Sequence, residues 1–191
     1  MRYALPFSSV RRESMEKVFF LLSEVVKPII MEVGRTRFAD GMQGDGYSTI
    51  HFADYVQRHG GMLLSVDADP GTEKLCRELF GVLELDGAPV VFVDVKPESF
   101  HVPEADLNLL YLDGPDCTEG MERQSAQWHL ACMKFLEHKV VKGGLVLVDD
   151  CMNDLFPEGK GSLAIPYLVE REYEVLYKGY QWLLRKTKET Q

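Results

Sequence analysis

Five short apolar runs recur along this chain, with helical patterns between them. Ile29 to Val33, Met62 to Val66, Pro89 to Val95, Leu107 to Leu112 and Leu145 to Val148 are each near-continuously apolar. Runs of that length predict parallel strands buried on both faces. Met15, Val18, Phe19, Leu22, Val25 and Val26 return at helical spacing, predicting an amphipathic helix over about 12–27 that Pro28 ends. Ile50, Ala53 and Val56 mark a second helix, which stops at Gly60-Gly61. Asp69 and Pro70 make an N-cap and first-turn pair for a third, which carries Leu75, Leu79 and Phe80 on one face and closes at Gly81. Met121, Ser125, Trp128, Cys132 and Phe135 stripe a fourth over about 119–138. Residues 151–162 read as loop, and a short helix follows near Pro166. Glu172 to Lys178 and Tyr180 to Arg185 flank Gly179 as a terminal hairpin.

Strands alternating with helices mean an α/β fold: a doubly wound, mostly parallel sheet, here of seven strands with a C-terminal antiparallel hairpin. The reading is one domain over 1–191, an N-terminal helix preceding a core of about 28–185. Ligands of such sheets lie outside the carboxyl ends of the strands, where strand order reverses. The acids gather at those ends: Asp67 after the second strand, Asp94 after the third, Asp113 after the fourth, Asp149 and Asp150 after the fifth. A single strand-end aspartate usually caps a helix, but several along one edge point to a site. Glu32 sits within the first strand, Gly34 ends it, and Gly44 and Gly46 come just before the next helix. Glycines there let the backbone pass close to a ligand, and the helix offers it free N–H groups.

Composition narrows the chemistry. The 191 residues, 46% apolar and 27% charged, suit a soluble globular protein with a sizeable core. A net charge of −9 argues against a nucleic-acid partner and fits a small or neutral substrate. Cys76, Cys117, Cys132 and Cys151 show no zinc-ligand spacing and read as thiols in a reducing cytoplasm. The short, mildly apolar start meets Arg11, Arg12 and Glu13, unlike a signal peptide, and no run nears the roughly 20 apolar residues that span a bilayer. The expectation is a cytoplasmic protein away from membranes, with homo-oligomerisation left open. His51 and His59 are expected exposed on their helix, and Trp128 and Trp182 in the core.

These residues resemble the class I S-adenosylmethionine-dependent methyltransferases over roughly 28–185. Glu32-Val-Gly34 with Gly44 and Gly46 is similar to their Glu-x-Gly-x-Gly-x-Gly turn, and Ser-Val-Asp67-Ala68 to the segment whose acid accepts hydrogen bonds from the cofactor's ribose hydroxyls. The terminal hairpin matches their antiparallel last strand. The resemblance implies cofactor contacts from Glu32, Gly34, Gly44, Gly46, Asp67 and Ala68, with Asp94 near the adenine. Asp113-Gly-Pro-Asp116-Cys-Thr-Glu-Gly120 and Gly-Gly-Leu-Val-Leu-Val-Asp149-Asp150 look like segments of the metal-dependent O-methyltransferases. That resemblance implies magnesium or another divalent cation on Asp113, Asp149 and Asp150, the hard oxygen set such an ion takes. Asp113 and Asp116 would then carry the catalysis. The activity implied is methyl transfer to the hydroxyl of a small molecule; a metal-independent methyltransferase, or a cofactor-binding protein without activity, are the alternatives. A nicotinamide oxidoreductase is disfavoured by the glycine spacing and the hairpin.

Two features depart from that pattern. Nine residues, Arg35 to Gln43, separate Gly34 from Gly44, where the family usually has one; they are read as a cover for the cofactor, a reach toward the substrate, or a surface excursion. Asp116 stands where relatives place a His or Lys that removes the substrate proton, and an ordinary aspartate is a poor base toward a hydroxyl. Phe156 and Lys160 follow the strand-end acids and fall near the site.

Overall fold

The apolar run Ile29–Val33 forms β1, an interior strand of a seven-stranded sheet. The computed structural model describes residues 7–39, 47–95, 104–152 and 158–188. On one side β1 pairs in parallel with β2 (Met62–Asp67), and on the other with β4 (Leu107–Leu112). That register sets Glu32 between Ser65 and Tyr111. β3 (Val90–Asp94) lies outside β2, and β5 (Val140–Val148) outside β4. β7 (Trp182–Arg185) runs antiparallel to β5 and to the edge strand β6 (Glu174–Tyr177), completing the order β3-β2-β1-β4-β5-β7-β6. This is the doubly wound, mostly parallel sheet with an antiparallel hairpin that the apolar runs predict.

Side chains alternate across a strand, so β1 feeds two cores. Met31 and Val33 point into one with Leu110 and Leu112, closed by α4 (Glu122–Leu136) and α5 (Gly161–Glu170). Ile30 points into the other with Leu109 and Tyr111, under α1 (Arg12–Leu22) and α2 (Ser48–His59). α3 (Pro70–Leu83) packs there through Cys76 and Phe80, its N-terminus capped by Asp69 with Pro70 in the first turn. No helix among the described residues is long and apolar enough to cross a membrane.

Some boundaries differ from the periodic reading, each for a local reason. α1 ends at Leu22 rather than near 27, because Val25 and Val26 are weak helix formers and Val26, 89% exposed, has no core to join. β5 begins at Val140 rather than Leu145: Gly143 and Gly144 exchange backbone hydrogen bonds with Lys186, extending the strand past its apolar run. α3 continues past Gly81 to Leu83. Pro166 lies inside α5. His51 is buried, contrary to expectation, because the Phe7 ring covers it at 4.4 Å between ring centres. His59 is exposed and Trp182 buried, as expected, and all four cysteines are free thiols.

Candidate functional site

The strand ends are held level by hydrogen bonds that continue past them. Gly34 donates to Val66, Asp113 to Val33, Val95 to Asp67 and Asp149 to Leu112, all at 2.8–3.0 Å. The chain leaves β1 and β4 toward opposite sides, since strand order reverses between them. A cavity of about 680 Å³ opens at that point, with Gly34, Asp67, Ala68 and Asp113 among its lining. Two glycines permit the close packing. At Gly34, with φ +101°, a Cβ would lie 2.1 Å from the Asp113 carbonyl oxygen. At Gly114 it would lie 2.1 Å from the Trp128 ring. Trp128, Ala131, Cys132 and Phe135 follow one another at helical spacing and make one wall of the cavity. Trp128 therefore faces a pocket as well as the core to which the sequence assigned it.

Asp67 ends β2 against this cavity. One carboxylate oxygen accepts the backbone N–H of Arg35 and the other that of Asp69, both at 2.8 Å. Each oxygen keeps capacity for a further donor, as two vicinal hydroxyls require. Glu32 lies elsewhere: fully buried below the floor, it accepts the Ser65 hydroxyl at 2.6 Å. Burial pushes its carboxyl up to about 7, against the hydroxyls of Ser65, Thr49 and Ser48. It supports the turn rather than lining the cavity. Asp94 is also absent from the lining, and its carboxylate is paired with the Arg35 guanidinium at 2.8 Å, leaving neighbouring Val95 to face the cavity. Gly44 and Gly46 lie outside the described residues.

The start of the long insert is partly structural. The Arg35 side chain runs inward, donating to the carbonyls of Ser65 and Val93 at 2.8 Å and lying over the Phe92 ring. Arg37 turns the other way and meets Asp116 through two parallel hydrogen bonds of 2.7 and 2.9 Å. Those bonds hold the Asp116 carboxyl below its ordinary value despite partial burial. Asp116 is thereby an even weaker base than a free aspartate, and it joins the insert to the loop after β4.

Asp113, Asp149 and Asp150 do converge, with oxygens within 4.8 Å of one another. Each is already partnered. The Arg11 guanidinium grips both oxygens of fully buried Asp149 at 2.8–3.1 Å, and Gln181 adds a bond of 2.9 Å. The Lys160 ammonium lies 2.5 Å from Asp113 and 2.8 Å from Asp150. Asp150 sits in the left-handed region at φ +46°, and its other oxygen accepts the Tyr180 hydroxyl. Burial alone would raise Asp149, but Arg11, Lys160 and Gln181 outweigh it and keep it ionised. Burial and the charge of Asp149 push Asp113 well above the carboxylate range, which Lys160 only partly offsets. Both cations are held charged against burial by these carboxylates. A divalent ion bridging Asp113 and Asp150 would have to displace the ammonium, which stands between the two carboxylates. The residues present thus fit their own two cations rather than an additional metal. The position of Lys160 after the acids puts it near the site; Arg11, 138 residues from Asp149, carries no local signal.

No protein-family model and no curated protein sequence matches the chain. Solved structures do. The O-methyltransferase NovP superposes with a TM-score of 0.64 at 17% identity, over 92% of this chain and 80% of that one. The methyltransferase PaMTH1 of Podospora anserina, in its SAH-bound form, gives 0.60 at 14%, over 93% and 79%. NSun6 from Pyrococcus horikoshii gives 0.58 at 14%, and this chain, 90% covered, spans only 52% of its length. At such identities the likeness is one of architecture: the chain has the seven-stranded, Rossmann-like fold of these methyltransferases.

Proposed function

We propose that this chain transfers the methyl group of S-adenosylmethionine to a hydroxyl oxygen of a small molecule, without a divalent metal on Asp113, Asp149 and Asp150. The observation that carries the reading is Asp67, a strand-end carboxylate with spare acceptor capacity, facing a cavity at the point where strand order reverses. The two ribose hydroxyls donate to Asp67. The adenine lies against the apolar wall of α4, and the methionine part passes the close turn at Gly34. Methyl transfer from a sulfonium needs in-line placement of the acceptor oxygen more than it needs covalent catalysis. Asp113, which belongs to both the cavity wall and the charged cluster, accepts a hydrogen bond from the acceptor hydroxyl and takes its proton as the oxygen–methyl bond forms and the sulfonium–methyl bond breaks, releasing S-adenosylhomocysteine.

NovP, an O-methyltransferase among the similar structures, supports oxygen as the acceptor. The Arg37–Asp116 pair favours a second reading, a chain that binds the cofactor without turning it over, because it withdraws the carboxylate nearest a base position. Incubating the chain with methyl-labelled S-adenosylmethionine and a panel of small hydroxyl compounds, with and without excess chelator, separates the two. Label in a hydroxyl product supports the proposal. Cofactor binding with no transfer to any acceptor supports the second reading, and transfer abolished by chelator overturns the metal-free form.

A further inference from the structure

Lys160 is placed at the charged cluster by two flanking glycines. Its side chain is 1% exposed although it sits in the turn before α5, where a lysine ordinarily reaches solvent. Gly159 precedes it at φ +53°, and a Cβ there would lie 2.2 Å from the Asp150 carbonyl oxygen. Gly161 follows it, and a Cβ there would lie 2.5 Å from the Cys151 sulfur. Two glycines therefore let the backbone press against Asp150 and Cys151, so that the side chain between them enters the cluster. The backbone N–H of Lys160 also reaches the Asp150 carbonyl at 3.3 Å. Once inside, the ammonium bridges Asp113 and Asp150, while Arg11 takes Asp149 and approaches Asp150 at 3.5 Å.

We infer that the Asp113–Asp149–Asp150 cluster is a cation site whose resident cation is the Lys160 ammonium, so that the native chain takes up no divalent ion there and removal of the ammonium opens the site to one. Three carboxylates so close need positive charge among them, and a buried group carries it in a fixed position. A divalent ion of ordinary oxygen coordination, at about 2.0–2.6 Å from each ligand, would need the space between Asp113 and Asp150 that the ammonium fills. The inference concerns occupancy of the cluster and stands whether or not methyl transfer occurs.

Manganese(II) is a suitable probe, because its hydrated form gives a paramagnetic resonance signal that protein binding quenches. The full chain, Lys160→Ala, Lys160→Met and Lys160→Arg are each titrated with the ion, and their thermal unfolding is followed with the ion and with chelator. The native chain and Lys160→Arg should leave the signal at its free value and keep their unfolding temperatures. Lys160→Ala and Lys160→Met should bind manganese at least about tenfold more tightly than the native chain and unfold at higher temperature with it than without. A neutral variant that folds only when manganese is present gives the same answer. Quenching by the native chain that Asp113→Asn removes would overturn the inference, as would folded neutral variants that bind no better than the native chain.

Discussion

Arg11→Met tests the charged cluster through stability. In the native chain the guanidinium is 7% exposed and makes three contacts of 2.8–3.1 Å to a carboxylate that is 0% exposed. Removing the cation leaves Asp149 with Gln181, and with Lys160 acting from beyond Asp113 and Asp150. A buried charge stripped of its partner costs about 3–5 kcal/mol. The same change unties the start of α1 from the end of β5 and removes the cation over the Tyr180 ring, 4.8 Å from its centre. Asp149→Asn should cost less, because Arg11 retains Asp150 at 3.5 Å and the asparagine keeps a bond to Gln181. Urea unfolding of the native chain, both single variants and the double variant gives the coupling directly. The double variant should be more stable than Arg11→Met alone, since it removes the stranded charge. A loss below about 1 kcal/mol for Arg11→Met, the range of an exposed pair, would refute the buried-pair geometry.

Three other outcomes follow from the same packing. Gly34→Ala forces a side chain into the left-handed region and onto the Asp113 carbonyl, so it should lower stability by about 1–3 kcal/mol or more; an unchanged melting temperature would count against the turn. Trp128 faces the cavity and Trp182 is buried away from it, so cofactor should change the tryptophan emission of the native chain but not of Trp128→Phe; a response surviving in that variant would move the site. Burial holds His51 and His129 down at about 4, His129 despite its bond to the Ser125 carbonyl. The unfolded chain then takes up protons first, so each imidazole withdraws stability as pH falls from about 6.5 toward 4, at about 1.4 kcal/mol per pH unit. Glu32, raised to about 7, works oppositely and adds stability as pH falls from about 7 toward its unfolded value. Proton resonance should show both imidazoles neutral at pH 5; titration near 6.5 would contradict their burial.

Much of the sheet was legible because its cause is local. A strand such as Leu107–Leu112, buried on both faces, has to be apolar almost throughout, and that run can be read without knowing its neighbours. The strand-end position of Asp67 and Asp113 follows from the same runs. Partners that arrive from elsewhere were not legible. Phe7 covers His51 from outside its helix, and no periodicity in α2 reports it. Asp94 ended its strand as expected, yet its carboxylate answers to Arg35, 59 residues away. The convergence of three carboxylates could be expected from the order of β4 and β5. What neutralises them depended on Arg11 and on a lysine held between two glycines, and neither follows from spacing alone.

Calorimetry with S-adenosylhomocysteine probes the proposed hold of Asp67 on the ribose of S-adenosylmethionine. The native chain should bind, and Asp67→Ala should weaken binding by about 1–3 kcal/mol, roughly 5- to 150-fold, because two hydroxyls lose their acceptor. The variant should remain folded, since Asp67 is only partly buried and its losses within the protein are the N–H groups of Arg35 and Asp69 at the cavity rim. Equal affinity in the two proteins, or no binding by the native chain, would remove Asp67 as the ribose acceptor.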